Sequence, residues 1–566
     1  MVCDFLVLAT TLLALATATG AISKVSRTGK YLYTDDGNRF HIKGIAYQTQ
    51  GLVIPGPNNP LNQPSTFVDQ LADDAACTRD LPLFKKLGIN AIRAYSVNSA
   101  LNHDSCMSAL SGAGIYVIID LTLPLNGSID TTQPVWSTNI QDQYINTVNA
   151  FSKYDNVLAY NVGNEVLTAG AINAAPFIKA AARDMKAYLT SISSSALVGY
   201  ADIDGASNFR DVVADYLSCD PSGSNSGSTS IDIFGLNNYE WCGNAANTSF
   251  NAVNAEFADY NVVAYFSEFG SENCNPNPRI WTEVATLFSA PMTDVWSGGV
   301  AFSYFSALSR GHEFGMVTLS ADNTTVTTNG DFENLVSEYN KVTFVNSPGK
   351  SSVSDSSFPP CPASSVTWAV GNTTASWTVS STLPPTPNEA ACNCVESQLS
   401  CRFRPSTTDY NVVVGVLFGQ ACGLLINDGG SCDDVSSDGI KGVYGHMSMC
   451  NPTTRLSYVF SQYYELNNRE ATACSFAGNG SINFAMTTST MPAAAVASSC
   501  IADPSAVAIP TLGSGGTLPS GSNAALAPSS SSGSKGAAGS LRGGNALFCA
   551  AMMAACIVGS ALWTLS

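Results

Sequence analysis

The chain has 566 residues, 45% of them hydrophobic, with a formal net charge of −18 and 17 cysteines. That length exceeds one ordinary domain and supports a sizeable core. The acidic balance argues against a phosphate backbone as partner, which needs clustered Lys and Arg, and is compatible with a neutral polymer; the cysteines exclude a reducing compartment.

Residues 5–16 form an apolar run too short to span a membrane. Ala16-Thr17-Ala18 and Gly20-Ala21 supply small residues for cleavage, so residues 1–21 read as a signal peptide. Its n-region is unusual, with Asp4 and no Lys or Arg.

Residues 22–345 carry eight strand-like runs: 40–47, 90–97, 114–121, 157–165, 197–202, 231–240, 262–270 and 298–305. Helix-like segments fill most gaps, at 80–87, 140–153, 174–190, 251–259 and 280–289. The alternation predicts a (β/α)₈ barrel of the TIM type, an α/β fold. A doubly wound open sheet is the alternative, but no Gly-rich phosphate turn follows the first run. In such a barrel the chemistry sits at the C-terminal strand ends. The groups found there are Tyr47-Gln48, Tyr95, Asp120, Asn164-Glu165, Asp202 and Asp204, Tyr239, Glu268 and Tyr304.

Two of these runs end alike. VLAYNVGNEV (157–166) closes on Asn164-Glu165, and about 100 residues later VVAYFSEFG (262–270) carries Glu268. A single glutamate after a buried strand is ordinary loop polarity; two, each on its own strand tip, predict a paired-carboxylate site. A glycosidic bond needs one carboxylic acid to protonate the leaving oxygen and a second carboxylate to attack the sugar or activate water. Glu165 is assigned as acid/base and Glu268 as nucleophile. Asn164 would bond a sugar hydroxyl or orient a carboxylate, and Tyr239 would hold the nucleophile through its hydroxyl. Tyr47, Tyr95, Tyr304 and Trp241 offer flat faces for sugar rings. The four histidines are scattered and no GxSxG motif occurs, so neither a metal nor a serine nucleophile is expected.

Residues 346–390, rich in Ser, Thr and Pro, read as a connector containing Cys361. Residues 391–502 hold eight cysteines, at 392, 394, 401, 422, 432, 450, 474 and 500, and predict a small disulfide-stapled α+β module rather than a zinc site. Residues 503–540 form a Ser/Gly/Pro-rich stalk. Residues 541–566 contain Arg542 and then an apolar tail, the layout of a GPI-attachment signal with Ser534 as attachment site. A retained transmembrane helix is the alternative, disfavoured because no cytoplasmic residues follow. Asn126, Asn247, Asn323, Asn372 and Asn479 begin N-x-[ST] sequons.

The motifs IKGIAYQ (42–48), IRAYSVN (92–98), VIIDL (117–121), YNVGNEV (160–166), VGYADID (198–204), GLNNYEWCG (235–243), FSEFG (266–270) and MTDVWSGG (292–299) resemble, in order and spacing, the fungal β-1,3-glucanosyltransferases of glycoside hydrolase family 72. Residues 392–500 resemble the cysteine-rich (X8-type) carbohydrate-binding module of one branch of that family. The resemblance implies a retaining enzyme with Glu165 as proton donor and Glu268 as nucleophile, their carboxyl groups about 5–5.5 Å apart. It implies substrate contacts at Tyr95, Asn164, Asp204 and Arg210 and in the loop after Asp120, to which Gln48, Tyr239 and Tyr304 are added. It implies β-1,3-glucan chains as donor and acceptor, no cofactor, and a GPI-anchored monomer on the outer face of the plasma membrane or in the wall; a retaining endo-β-1,3-glucanase and a non-catalytic surface glycan-binding protein are the alternatives. By analogy the cysteines pair Cys77–Cys106, Cys219–Cys361, Cys242–Cys274, Cys392–Cys450, Cys401–Cys474 and Cys422–Cys432, leaving Cys394–Cys500. Three departures stand out: Phe302 where the family usually has Tyr, Asp130 where it often has Arg, and a longer interval from Glu268 to Cys274. Tyr304 is expected on the strand face of Phe302, supplying the missing hydroxyl.

Overall fold

Eight of the apolar runs become parallel strands of one closed barrel: Ile42–Ala46, Ala91–Ala94, Tyr116–Asp120, Val157–Asn164, Leu197–Ile203, Ile233–Asn238, Val263–Phe269 and Trp296–Ala301. The computed structural model describes residues 22–51, 66–124, 127–241, 247–272, 277–309, 311–405, 411–486 and 488–512. The signal-peptide and GPI-signal segments, Ser534, Asn126, Cys242 and Cys274 lie outside them, as do most of the stalk and the side chain of Asn247.

Both faces of these strands are covered, so they are buried almost throughout rather than alternating. One core fills the barrel, with Ile42, Ile118, Ala159, Ile233, Val263 and Val300 among its members; a larger one lies between strands and helices. The ring closes where Gly298 to Ala301 pair with Ile42 to Ile45. Gly298 sits at φ +89°, and a Cβ there would lie 2.2 Å from the Ile42 carbonyl oxygen, so only glycine lets the last strand dock. The hairpin Val25–Thr28/Tyr31–Thr34 covers the barrel's N-terminal end, its Val25 and Leu32 packing with Phe40 and Tyr116.

Helices Asp74–Leu87, Thr138–Phe151, Ala175–Ser191, Asn251–Glu256 and Glu283–Leu287 match the expected segments. Asp73 caps the first of them by accepting from the Ala75 and Ala76 amides, and Gly88 ends it in the left-handed region. Helices Asp104–Gly112, Ser207–Ser218 and Gly330–Tyr339 were not expected. The first two have no side-chain cap to announce them.

The connector is more ordered than its composition implies. It contains the hairpin Thr367–Val370/Thr373–Ser376 and buries Trp368 on Phe209 and Trp377 on Tyr216. Cys361 bonds Cys219, 142 residues earlier, and ties this segment to the barrel. The C-terminal module has its own core, with helices Glu389–Gln398, Asn411–Asn427, Pro452–Leu466 and Ala493–Cys500 beside the strand pair Cys401–Phe403/Gly480–Ile482. Its disulfides are Cys392–Cys450, Cys394–Cys500, Cys401–Cys474 and Cys422–Cys432; Cys77–Cys106 lies in the barrel.

The module sits directly on the barrel. The Thr138 amide donates to Met449, and Phe177 meets Tyr444 edge to face at 5.6 Å. Thr386, entering the module, donates to the buried Asp184 carboxylate at 2.8 Å, which also accepts from Trp136 and Arg183. Thr386 further bonds the backbone of Ala506 and Ala508, so the chain leaving the module is held beside the chain entering it. Among the described residues no helix is long and apolar enough to cross a membrane.

Candidate active site

Glu165 and Glu268 reach the C-terminal mouth of the barrel by the same backbone device. On the fourth strand Asn161 pairs with Gly199 and Asn164 with Ala201, so three residues face two. On the seventh strand Tyr265 pairs with Gly235 and Glu268 with Asn237, again three facing two. An extra residue reverses the in–out alternation of a strand. Asn161 and Asn164 therefore both turn inward, as do Tyr265 and Glu268. Glu165 then leaves the fourth strand at φ +52°, an uncommon backbone for a glutamate, held by its amide donating to Ala201.

The centre of the site is Arg93, wholly buried in the second strand. Its guanidinium donates to both Asp120 oxygens, at 3.2 and 2.7 Å, to Asn164 Oδ1 at 2.8 Å and to Glu268 Oε1 at 3.2 Å. A buried cation needs this many acceptors, because desolvation is otherwise too costly. Asn237, on the sixth strand, donates to Glu165 Oε1 at 2.8 Å and to Asn164 Oδ1 at 3.1 Å. Its own Oδ1 accepts from Ser267 at 2.7 Å, which fixes the amide's orientation. The two glutamates are thus joined through Asn237, Asn164 and Arg93.

Their surroundings differ. Glu165 is exposed, whereas Glu268 is only 6% exposed. Glu268 accepts from the Tyr95 hydroxyl at 2.9 Å and the Tyr239 hydroxyl at 2.6 Å. Burial, with the Glu165 charge adding to it, pushes the Glu268 carboxyl up to about 7 against the lowering by Arg93 and the two hydroxyls. Burial, with the Glu268 charge adding, holds both phenols well above their ordinary value, so they remain donors.

The other expected residues divide. Asp204 accepts from Arg210 at 2.5 Å and from Asn238, next to Tyr239, at 2.7 Å. Burial, with Glu240 adding and Arg210 opposing, pushes its carboxyl up to about 7. Arg210 spans Asp204 and Glu256. Trp241 is half-buried, its ring centre 4.0 Å from that of Phe250 and the two rings tilted by 42°.

Four expectations need correction. Asp120 is buried beneath the site, bound to Arg93 and Asn161 rather than open to a ligand. Gln48 bridges backbone groups, accepting from the Tyr95 and Ser96 amides and donating to Val68. Tyr304 and Tyr47 present no face to the cleft: both are buried and donate to opposite oxygens of Asp80, at 2.9 and 2.8 Å. The eighth strand ends at Ala301, and the Tyr304 amide bonds Ala46, turning the segment back over the first strand. The alternation that would have put Tyr304 on the cleft face with Phe302 does not extend that far. Phe302 itself is half-buried, its ring edge-on to Tyr95 and Tyr239 at 6.3 and 6.1 Å.

The glycoside hydrolase family 72 model, described as glucanosyltransferase, matches residues 13–343. The chain belongs to this family. An X8 domain model matches residues 399–481. The family relatives include pH-responsive protein 1 of Candida albicans, 37% identical over 467 residues, covering 80% of this chain and 79% of that one. The 1,3-beta-glucanosyltransferase gas1 of Schizosaccharomyces pombe is 36% identical over 472 residues, covering 82% and 80%. Among solved structures, Saccharomyces cerevisiae Gas2p in complex with laminaritetraose and laminaripentaose superposes with a TM-score of 0.71 at 30% identity, covering 85% of this chain and 99% of that one.

In this member of the family Arg93 and Asn237 are the site residues that reading the sequence missed. Arg93 lies inside an apolar run, where a charge looks like a solvent-facing interruption. Asn237 had a fainter signal, as a polar residue near a strand tip just before Tyr239. Of the sequon residues, Asn323 and Asn372 are exposed and Asn479 is half-buried.

Proposed function

We propose that the protein is a retaining β-1,3-glucanosyltransferase that cuts a β-1,3-glucan chain internally and passes the new end to another chain. The observation that carries this is the pair of glutamates joined through Asn237, Asn164 and Arg93, in a chain of the glucanosyltransferase family. Glu268, once ionised, attacks the anomeric carbon, and Glu165 gives its proton to the departing oxygen. The reducing-side fragment leaves, and the remaining glucan is esterified to Glu268. Glu165, now a carboxylate, takes the proton from an incoming acceptor hydroxyl, whose oxygen displaces Glu268 and forms the new linkage.

The chain's own residues divide the work. Tyr95 and Tyr239 keep the Glu268 oxygens oriented for attack, and Arg93 supplies the countercharge that favours ionisation. Asn237 aims Glu165 at the leaving oxygen, and Asn164 is placed for a sugar hydroxyl. Asp204 and Arg210 act on the sixth-strand tip beside Tyr239. The remaining reading is a monomer with a catalytic barrel at 22–345, connector to 390, module at 391–502, and a stalk leading to a GPI anchor at the outer membrane face or wall.

Incubation with a laminari-oligosaccharide is expected to yield products both longer and shorter than the substrate, with Glu165→Gln and Glu268→Gln folded but inactive. Shorter products alone would make the protein a hydrolase. Full activity in either variant would remove the assigned pair.

A further inference from the structure

The groups that touch Glu268 are themselves held by a residue outside the catalytic set. Tyr95 and Tyr239 are wedged by phenyl rings: Phe302 stands edge-on to both, and Phe314 to Tyr239 at 5.4 Å. Phe302 and Phe314 also meet each other at 5.4 Å. They come from different segments, one just past the eighth strand and the other on the return after His312–Glu313.

One guanidinium joins these segments. Arg279, 4% exposed, donates to the Phe302 carbonyl at 2.8 Å, the Phe314 carbonyl at 2.8 Å and the Gly270 carbonyl at 3.0 Å. Gly270 lies two residues beyond Glu268. Its φ is +114°, and a Cβ there would lie 2.3 Å from the Trp281 ring, on which Arg279 stacks at 4.4 Å. The far side of Arg279 is anchored by Asp331, which accepts from its Nε at 2.8 Å and its backbone amide at 2.6 Å, and by Glu272 at 2.9 Å. Three carbonyls on one planar fork define relative position in a way that a single ammonium cannot.

We propose that Arg279 is a positioning residue for Glu268, fixing Phe302 and Phe314 so that the Tyr95 and Tyr239 hydroxyls stay on the carboxylate. This rests on the glucanosyltransferase reading. The charged and titratable groups facing Glu268 are Arg93, Glu165, Tyr95, Tyr239 and Tyr265; those around Arg279 are Glu272, Glu283 and Asp331, with His312 beside Glu272. Hydroxyl bonds favour the ionised carboxylate. Loosening them raises the pH at which Glu268 ionises, so the acid limb of kcat/KM moves to higher pH.

The test uses the full chain as wild type, Arg279→Lys and Phe314→Leu, turning over a laminari-oligosaccharide from pH 4 to 8, with Tm recorded alongside. Arg279→Lys is expected to lower kcat about tenfold with KM within about twofold. Its acid limb should rise by about 0.5–1 pH unit. Phe314→Leu, which leaves the three carbonyl bonds in place, should move the limb the same way by less. Unmoved limbs in both variants, with kcat falling only as the folded fraction falls, would overturn the proposal. If Arg279→Lys does not fold, Phe314→Leu decides alone. A wild type without turnover would refute the functional reading, a result distinct from an active wild type whose variants keep its limb.

Discussion

Replacing Glu268 with glutamine should stabilise the protein at neutral pH and leave it unchanged in acid. Glutamine mimics the protonated carboxyl in shape and charge. Glu268 ionises near 4.5 when solvated and near 7 in the folded site, because burial disfavours its charge. A carboxyl raised in the folded state favours folding only below its unfolded value, and this contribution is lost as pH climbs through the folded value. From 4.5 to 7 the native state binds the extra proton, so stability falls across that window relative to a residue that cannot ionise. The full displacement is worth about 3 kcal/mol, or a rise in Tm of a few degrees for a protein of this size. Thermal melts of wild type and Glu268→Gln at pH 4, 5.5 and 7.5 should diverge only upward from pH 5. A constant offset across pH, or a variant less stable at pH 7.5, would refute the reading of Glu268 as a desolvated carboxyl.

Arg93→Met should destabilise the fold, since it strands Asp120 and Glu268 without their countercharge. A loss of about 3–5 kcal/mol is expected, read by denaturant unfolding, and a variant of native stability would mean the buried pairs matter little. The double change Cys219→Ser and Cys361→Ser opens a loop spanning 142 residues and should cost about 3–5 kcal/mol. The connector should then become the first site of limited proteolysis. Retained protease resistance would show that Trp368 and Trp377 hold the connector without the disulfide.

The barrel was legible from the chain because eight buried parallel strands leave eight apolar runs, and the polar residues at the C-terminal ends of those runs mark the face that carries the site. Glu165, Glu268 and the hydroxyl of Tyr239 on Glu268 followed from that local pattern. Local period also misled. Alternation of two puts Asn161 and Asn164 on opposite faces, and likewise Tyr265 and Glu268; the extra residue in each strand, visible only against its neighbours' register, brings both members of each pair inside. Alternation placed Tyr304 with Phe302, but the strand stops at Ala301 and Tyr304 turns toward Asp80. Arg93 needed more still, because its partners Asp120, Asn164, Asn237 and Glu268 come from four other strands. A sequence carries the identity and period of each strand. Ring closure decides which side chains meet across the barrel, and here it sets the charge environment of the two glutamates.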